Sequence, residues 1–270
     1  MNNMKITFIG GGNMARALIG GLTRTGISAE NITVSDPTAA QRNAAKSDFG
    51  VHVSADNAVA AADSRVVVLA VKPQIMDEVL ASIRPAVPAD CLIISVAAGV
   101  TLGALARGLG EGRPLVRAMP NTPALYGAGI SGLAASPSVS EPDRALAESL
   151  LGAAGQTVWV DDEALMDAVT AVSGSGPAYF FALTEHLAAA GEKAGLPAVT
   201  AARLARATAI GAGVMLDRSE LDAGELRDRV TSPGGTTEAA LQSLSADDFD
   251  KILERAVDAA VERGRRLGAK

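Results

Sequence analysis

Lys5-Ile-Thr-Phe-Ile9-Gly10-Gly11-Gly12-Asn13-Met14-Ala15 is the stretch that decides the fold. Residues 5–9 read as a short buried strand, and Arg16-Ala-Leu-Ile-Gly-Gly-Leu22 reads as a helix. Between them stands G-x-G-x-x-A, with Gly10, Gly12 and Ala15 in the three special places. The first glycine permits the tight turn, and the second lets the backbone approach a pyrophosphate. The small third residue brings helix and strand together. The spacing alone is weak evidence, whereas its seat between a strand and a helix is strong. The bland alternative is a tight strand–helix turn with no ligand. On the stronger reading, Ile9, Gly10, Gly11, Gly12, Asn13 and Met14 lie along a dinucleotide.

Outward from this turn, strands recur with helices between them. Ile32-Thr-Val-Ser35 ends at Asp36-Pro37. An acid just past the second strand accepts hydrogen bonds from ribose hydroxyls and disfavours a 2′-phosphate, which points to NADH. Ser35 can donate to a phosphate and Arg42 lies within reach, which points to NADPH, so local chemistry leaves the choice open. Val51-His-Val53 is a short strand candidate, and Asn57 stands at the start of the next helix, where by itself it is a cap-region residue. Arg65-Val-Val-Val-Leu-Ala-Val71 is fully apolar after its first residue, as in a parallel sheet covered on both faces. Cofactors sit at the carboxyl ends of such strands, so Ala70, Val71, Lys72 and Pro73 are expected beside one. Lys72 reads equally as a solvated charge at a strand end. After Leu92-Ile-Ile-Ser-Val96, Ala97 and Ala98 leave space for a nicotinamide. Leu115-Val-Arg-Ala118 leads into Met119-Pro120-Asn121-Thr122-Pro123, a stiff loop in which Asn121 and Thr122 offer donors and acceptors. A rigid structural loop is the alternative there. Strands at 129–134 and 157–160, with a helix at 141–153 between them, complete a sheet domain expected to span residues 1–161.

Strand signals then stop, and residues 162–270 read as helical. A helix at 164–172 is interrupted by Ser173-Gly-Ser-Gly-Pro177, a close-packed junction with Pro177 in the first turn of the next helix. Further helices are expected at 177–194, 197–216 and 222–230. The last is expected to start at Ser245, capped through Asp248, and to run toward Arg265. Before it comes Arg229-Val-Thr-Ser-Pro-Gly-Gly-Thr-Thr-Glu-Ala-Ala-Leu241, a small-residue turn opening a helix. The first amides of a helix have no internal partner and carry the positive end of its dipole. Beside two glycines and two hydroxyls they make a seat for a small carboxylate. A plain capped helix after a loop is the alternative.

Composition narrows the function. The 270 residues are 48% hydrophobic but only 3% aromatic, enough for one or two buried domains with Ala/Val/Leu/Ile cores. Net charge −6 and pI near 5.0 argue against nucleic acid or an anionic membrane as partner. One cysteine, Cys91, excludes an intrachain disulfide and suits a reducing compartment; it sits in an apolar run and reads as core. No apolar run reaches the length of a membrane span, and the first strand leaves no room for a leader, so a cytoplasmic protein is expected. No metal-ligand spacing occurs.

The runs at 10–15, 70–73, 117–123, 173–179 and 230–237 resemble pyrroline-5-carboxylate reductases, the enzymes that make L-proline, and the resemblance covers nearly the whole chain. It implies an α/β protein: an N-terminal Rossmann-type doubly wound sheet, then an all-α dimerisation domain. It implies NADP(H) as cofactor, with NAD(H) as a possible alternative. It gives Asn57 a cofactor contact, and places Met119, Pro120 and Asn121 beside nicotinamide and substrate. Thr237 would hydrogen-bond the substrate ring nitrogen, with Ser232, Gly234, Gly235 and Thr236 around the carboxylate and Glu220 as a further substrate contact. It also implies a homodimer with interleaved helical halves, and rings of dimers in some members. Arg229 stands where some members have an uncharged residue and is left out of the site.

What the chain lacks fits that chemistry. His52 and His186 fall in no catalytic motif, and no lysine follows residues 173–177 until Lys193. A β-hydroxyacid dehydrogenase would need a catalytic lysine on that helix. A protonated imine is already electrophilic, so binding, orientation and a hydride source suffice. The alternatives are another NAD(P)-dependent imine or β-hydroxyacid reductase, and a non-catalytic cofactor-sensing scaffold. Turnover of pyrroline-5-carboxylate separates them.

Overall fold

The structure, a computed structural model, describes residues 4–268. The chain divides into two compact units. One runs to Ser175 and takes the chain back from Ala260 onward; the other is Gly176–Ala259.

The first unit is built on eight strands: β1 (Ile6–Ile9), β2 (Ile32–Ser35), β3 (His52–Ser54), β4 (Val66–Leu69), β5 (Leu92–Ser95), β6 (Leu115–Met119), β7 (Gly129–Ala135) and β8 (Gly155–Trp159). They lie in the order β3-β2-β1-β4-β5-β6-β7-β8. Pairing is parallel from β3 through β6, β7 runs antiparallel to β6, and β8 is parallel to β7. The order reverses between β1 and β4, the switch point at which such sheets bind nucleotides. Every residue of β1, β4 and β5 is buried. Alternate side chains serve opposite faces: Ile6, Phe8, Val66 and Val68 join one apolar cluster, Ile9, Val67 and Leu69 the other.

Helices α1 (Asn13–Arg24), α2 (Ala39–Phe49), α3 (Asn57–Ala61), α4 (Met76–Ile83), α5 (Leu102–Leu109) and α6 (Glu141–Gly152) connect the strands. Gly21 of α1 lies so close to the end of α6 that a Cβ there would meet the Ala153 carbonyl oxygen at 2.3 Å. Cys91 is buried, and that burial pushes its thiol up to about 12, so it is a core residue as expected. The expected helix at 164–172 is a composite. A 3₁₀ turn at Glu163–Leu165 leads to α7 (Met166–Val169) and then to a π-turn at Thr170–Gly174.

The second unit holds α8 (Gly176–Lys193), α9 (Ala198–Arg218), α10 (Ala223–Arg229), α11 (Thr236–Ala246) and the first half of α12 (Phe249–Gly268). Pro177 sits in the first turn of α8 as expected. Gly191 of α8 approaches Ala201 of α9, and Ala201 and Ala205 are buried there. Much of the remaining apolar surface is open, Phe180, Phe181 and Val199 being 64%, 68% and 82% exposed.

Two expectations are corrected here. Ser245 lies inside α11, and α12 starts only at Phe249 after Asp248, whose φ is +52°. A capping box is found instead at Asp222 and Glu225, where it opens α10. Second, α9 is long and apolar enough to cross a membrane by length and composition, among the described residues. The expectation counted unbroken apolar runs, whereas α9 averages Ala, Ile, Val and Met around Arg203 and Arg206.

Candidate functional site

The glycine turn is shaped by its neighbours. Gly10 has φ +100°, and a Cβ there would stand 2.5 Å from the Ala70 carbonyl oxygen. Its amide donates to the Ser35 carbonyl at 2.7 Å, so it is pinned between the ends of β4 and β2. Gly12 precedes α1 in extended conformation, with no side-chain cap on the helix and open space where a Cβ would be. Uncapped amides facing space that a side chain would fill suit a pyrophosphate. Asn13 is exposed and Met14 half-buried, the latter against the core.

Asp36 is held in place. Its carboxylate accepts the Gly11 amide at 2.9 Å and the Thr38 amide at 2.8 Å. Arg42 donates to the carbonyls of Asp36 and Pro37 at 2.6 and 2.8 Å, so its guanidinium lies beside the same turn. Ser35 is fully buried, and its hydroxyl donates to Asn57 Oδ1 at 2.7 Å. The Asn57 amide in turn donates to Ser82 at 3.3 Å.

Ala70 and Val71 follow β4, with Lys72 and Pro73 exposed at the start of a 3₁₀ turn. After β5, Ala97 is buried and Ala98 exposed, so of the two only Ala98 presents its methyl group outward. The loop they begin is backed by the end of α12, where Leu267 C lies 3.5 Å and Gly268 N 3.6 Å from the position of a Cβ on Gly99.

After β6, Met119 is half-buried and Pro120 and Asn121 are buried. Asn121 bonds at both ends of its carboxamide. Oδ1 accepts the Ile130 amide at 2.9 Å, and Nδ2 donates to the Ser173 carbonyl at 3.1 Å. Its carboxamide is therefore held at both ends within the fold.

Sequence reasoning missed an ion cluster behind these loops. Arg117, buried in β6, lies 3.1 Å from Glu163 and 3.8 Å from Asp167. Glu163 also accepts the Leu102 amide at 2.7 Å, tying the start of α5 to the same group. An arginine inside an apolar strand, with two acids four apart on one helical face, was the available signal.

In the helical unit, the carboxylate seat is recognisable but smaller than expected. Gly234 has φ +71°, its amide donates to Glu238 Oε2 at 2.7 Å, and Gly235's amide donates to the Ser232 carbonyl at 2.9 Å. Both glycine amides are therefore engaged within the turn. The amides of Thr236, Thr237 and Glu238 open α11, which has no side-chain cap. Thr237 is half-buried, while Ser232, Thr236 and Glu220 are exposed.

Comparison with known proteins agrees across the whole chain. Residues 163–267 match the family model described as pyrroline-5-carboxylate reductase dimerisation. Residues 5–99 match one described as NADP oxidoreductase coenzyme F420-dependent. A pyrroline-5-carboxylate reductase of Pseudomonas aeruginosa is 51% identical over 267 residues, 99% of this chain and 98% of that protein. A solved pyrroline-5-carboxylate reductase from Coxiella burnetii superposes with a TM-score of 0.95 at 40% identity, covering 98% of this chain and 99% of its own. The Plasmodium falciparum pyrroline carboxylate reductase with NADP bound gives 0.84 at 32% identity, with 99% of each chain covered.

Proposed function

The chain belongs to the pyrroline-5-carboxylate reductase family, and from that premise we propose a division of labour among its residues. The reaction is reduction of L-1-pyrroline-5-carboxylate to L-proline with NAD(P)H. When bound, the reduced nicotinamide would supply the hydride that the imine carbon takes up.

The chain's own residues bind and orient. The α1 amides and the open face at Gly12 receive the pyrophosphate, and Asp36 faces the adenosine ribose. Ile9, Gly10, Gly11, Asn13, Met14, Asn57, Ala70, Val71, Lys72 and Pro73 line the dinucleotide, with Ala97, Ala98, Met119 and Pro120 toward the nicotinamide end. In the helical unit, the amides of Thr236, Thr237 and Glu238 at the positive end of α11 take the substrate carboxylate. The Thr237 hydroxyl bonds the ring nitrogen, and Ser232, Gly234, Gly235 and Glu220 shape the surroundings. The observation that carries this reading is the uncapped first turn of α11 with half-buried Thr237 in it. Such a seat holds one carboxylate and leaves the imine beside it. No general acid or base is required of the protein, because the imine nitrogen enters protonated.

The working unit is a homodimer through the helical half. The open apolar residues Phe180, Phe181 and Val199, and the exposed length of α9, suit burial against a second copy. Rings of dimers and a cytoplasmic setting extend the proposal, the latter supported by the single buried cysteine.

The test is direct. Pure protein with NADPH and pyrroline-5-carboxylate should consume the reduced nicotinamide and yield proline in equal amounts. Binding of NADPH without turnover would leave only the cofactor half of the reading standing.

A further inference from the structure

Asn121 stands where the cofactor loop meets the segment that leads into the helical unit. It caps a 3₁₀ turn (Thr122–Tyr126) with extended backbone, and the residue is 7% exposed. A carboxamide has an acceptor end, an oxygen with two lone pairs, and a donor end, a nitrogen with two hydrogens. Here the acceptor end is taken by Ile130 of β7, and the donor end by the Ser173 carbonyl in the π-turn. Single π-turns are uncommon and concentrate at functional positions. This one is closed by the Ser175 amide on the Thr170 carbonyl at 2.8 Å. A second contact joins the same two segments: a Cβ on Gly174 would lie 2.7 Å from Met119 Cε. Met119 and the π-turn are therefore in close contact, and Asn121 is the hydrogen-bonded link beside it. Among the described residues no buried side-chain polar atom lacks a partner, and the bonds at both ends fix the orientation of the Asn121 carboxamide.

We propose that Asn121 is a positioning residue, not a cofactor ligand: its carboxamide locks the segment bearing Met119 and Pro120 onto β7 and the π-turn. The lock sets where the nicotinamide-side loop stands, and the cofactor is held by other groups. This rests on the assignment of residues 119 and 120 to the nicotinamide end.

The two roles separate in kinetics. A positioning role acts on the reacting geometry, where a misplacement of about 1 Å can cost roughly a hundredfold in rate. Asn121→Ala removes both bonds. Asn121→Asp keeps the acceptor for Ile130 but sets a carboxylate oxygen against the Ser173 carbonyl. In folded protein, each should lower kcat by about ten- to a hundredfold, with Asp at least as damaging as Ala. The Kd for NADPH, read from nicotinamide fluorescence, should stay within about threefold of wild type. A Kd raised about tenfold with saturated kcat retained would make Asn121 a cofactor ligand and overturn the proposal. Wild-type kinetics in folded Asn121→Ala would overturn it too. If these variants do not fold, Gly174→Ala tests the same junction by pressing a methyl group on Met119. It should lower kcat with the NADPH Kd kept, and an unchanged kcat would count against the lock. If wild-type protein does not bind NADPH, the cofactor assignment itself fails and the proposal falls with it.

Discussion

Asp36→Ser should shift cofactor preference toward NADPH, and the structure indicates both why and how far. The carboxylate is held by the Gly11 and Thr38 amides at 2.9 and 2.8 Å, so it stands at the end of β2 in a defined orientation. An ionised carboxylate has lone pairs beyond those two bonds, and a ribose hydroxyl can use them. A 2′-phosphate in place of that hydroxyl would bring nearly two negative charges to about 6 Å. At an effective dielectric constant of about 40 the repulsion is roughly 2 kcal/mol, and physiological salt screens it to about 1 kcal/mol. Serine removes that repulsion. It also weakens the hydrogen bonds that favour NADH, whose loss costs about 1.5 kcal/mol where the acceptor is charged. Together these change the ratio of kcat/KM for NADPH over NADH by roughly ten- to a hundredfold.

The ratio is the right quantity to read. Asp36 also braces the glycine turn through Gly11, so its loss loosens the pyrophosphate seat for both cofactors. That common loss cancels in the ratio. Asn at the same position keeps one acceptor and removes the charge, so it should give a smaller shift in the same direction. Raising ionic strength should favour NADPH in wild type and have less effect on the ratio in Asp36→Ser. An unchanged ratio, or a shift toward NADH, would refute the placement of the carboxylate at the ribose.

Three other outcomes follow from the same structure. Thr237→Val keeps the side-chain shape and should lower kcat/KM by about ten- to a hundredfold, as for a hydrogen bond to a charged group; wild-type kinetics in folded protein would remove Thr237 from the site. Gly21→Ala forces a Cβ against the Ala153 carbonyl and should destabilise by about 1–3 kcal/mol, read as a Tm lowered by several degrees; an unchanged Tm would mean that α1 and α6 part freely. Burial acts to raise the Asp143 pKa, but hydrogen bonds from Arg65 and Ser140 and the Arg65 charge hold it below 3.8. A depressed carboxyl contributes stability above its unfolded pKa and loses it as pH falls through the folded one. Asp143→Asn should therefore lower Tm at neutral pH, with the difference from wild type shrinking as pH drops below about 4; a constant difference would show that the charge is not what matters.

The sheet was legible because its signals are local. A strand running straight into Gly10, Gly12 and Ala15 needs only a few neighbouring residues to be recognised, and buried parallel strands such as β4 read as unbroken apolar runs. Helix ends in the second half were harder. Ser245 followed by Asp248 has the spacing of a capping box, yet α11 continues through Ser245 and the break falls at Asp248. The box that does form, Asp222 with Glu225, has the same spacing. Spacing alone could not separate them, because the choice depends on where the preceding helix stops.

At the site, the structure indicates which polar atoms of the expected residues already have partners within the fold. Ser35, Asn121 and Gly234 were all expected to offer a polar group to a ligand. In each case a group distant along the chain or across a turn takes it: Asn57 for the Ser35 hydroxyl, Ser173 and Ile130 for Asn121, and Glu238 for the Gly234 amide. Composition shows that a residue can bond, but its partner is fixed by tertiary contacts 22 or 52 positions away. Burial adds the physical reason: a polar group withdrawn from water must be satisfied within the fold, so the buried members of a conspicuous motif tend to hold the site in shape. Ligand contacts then fall to the partly exposed members. By that criterion Asp36 and Thr237, both half-buried, are the residues of their respective units whose substitution should report on binding most directly.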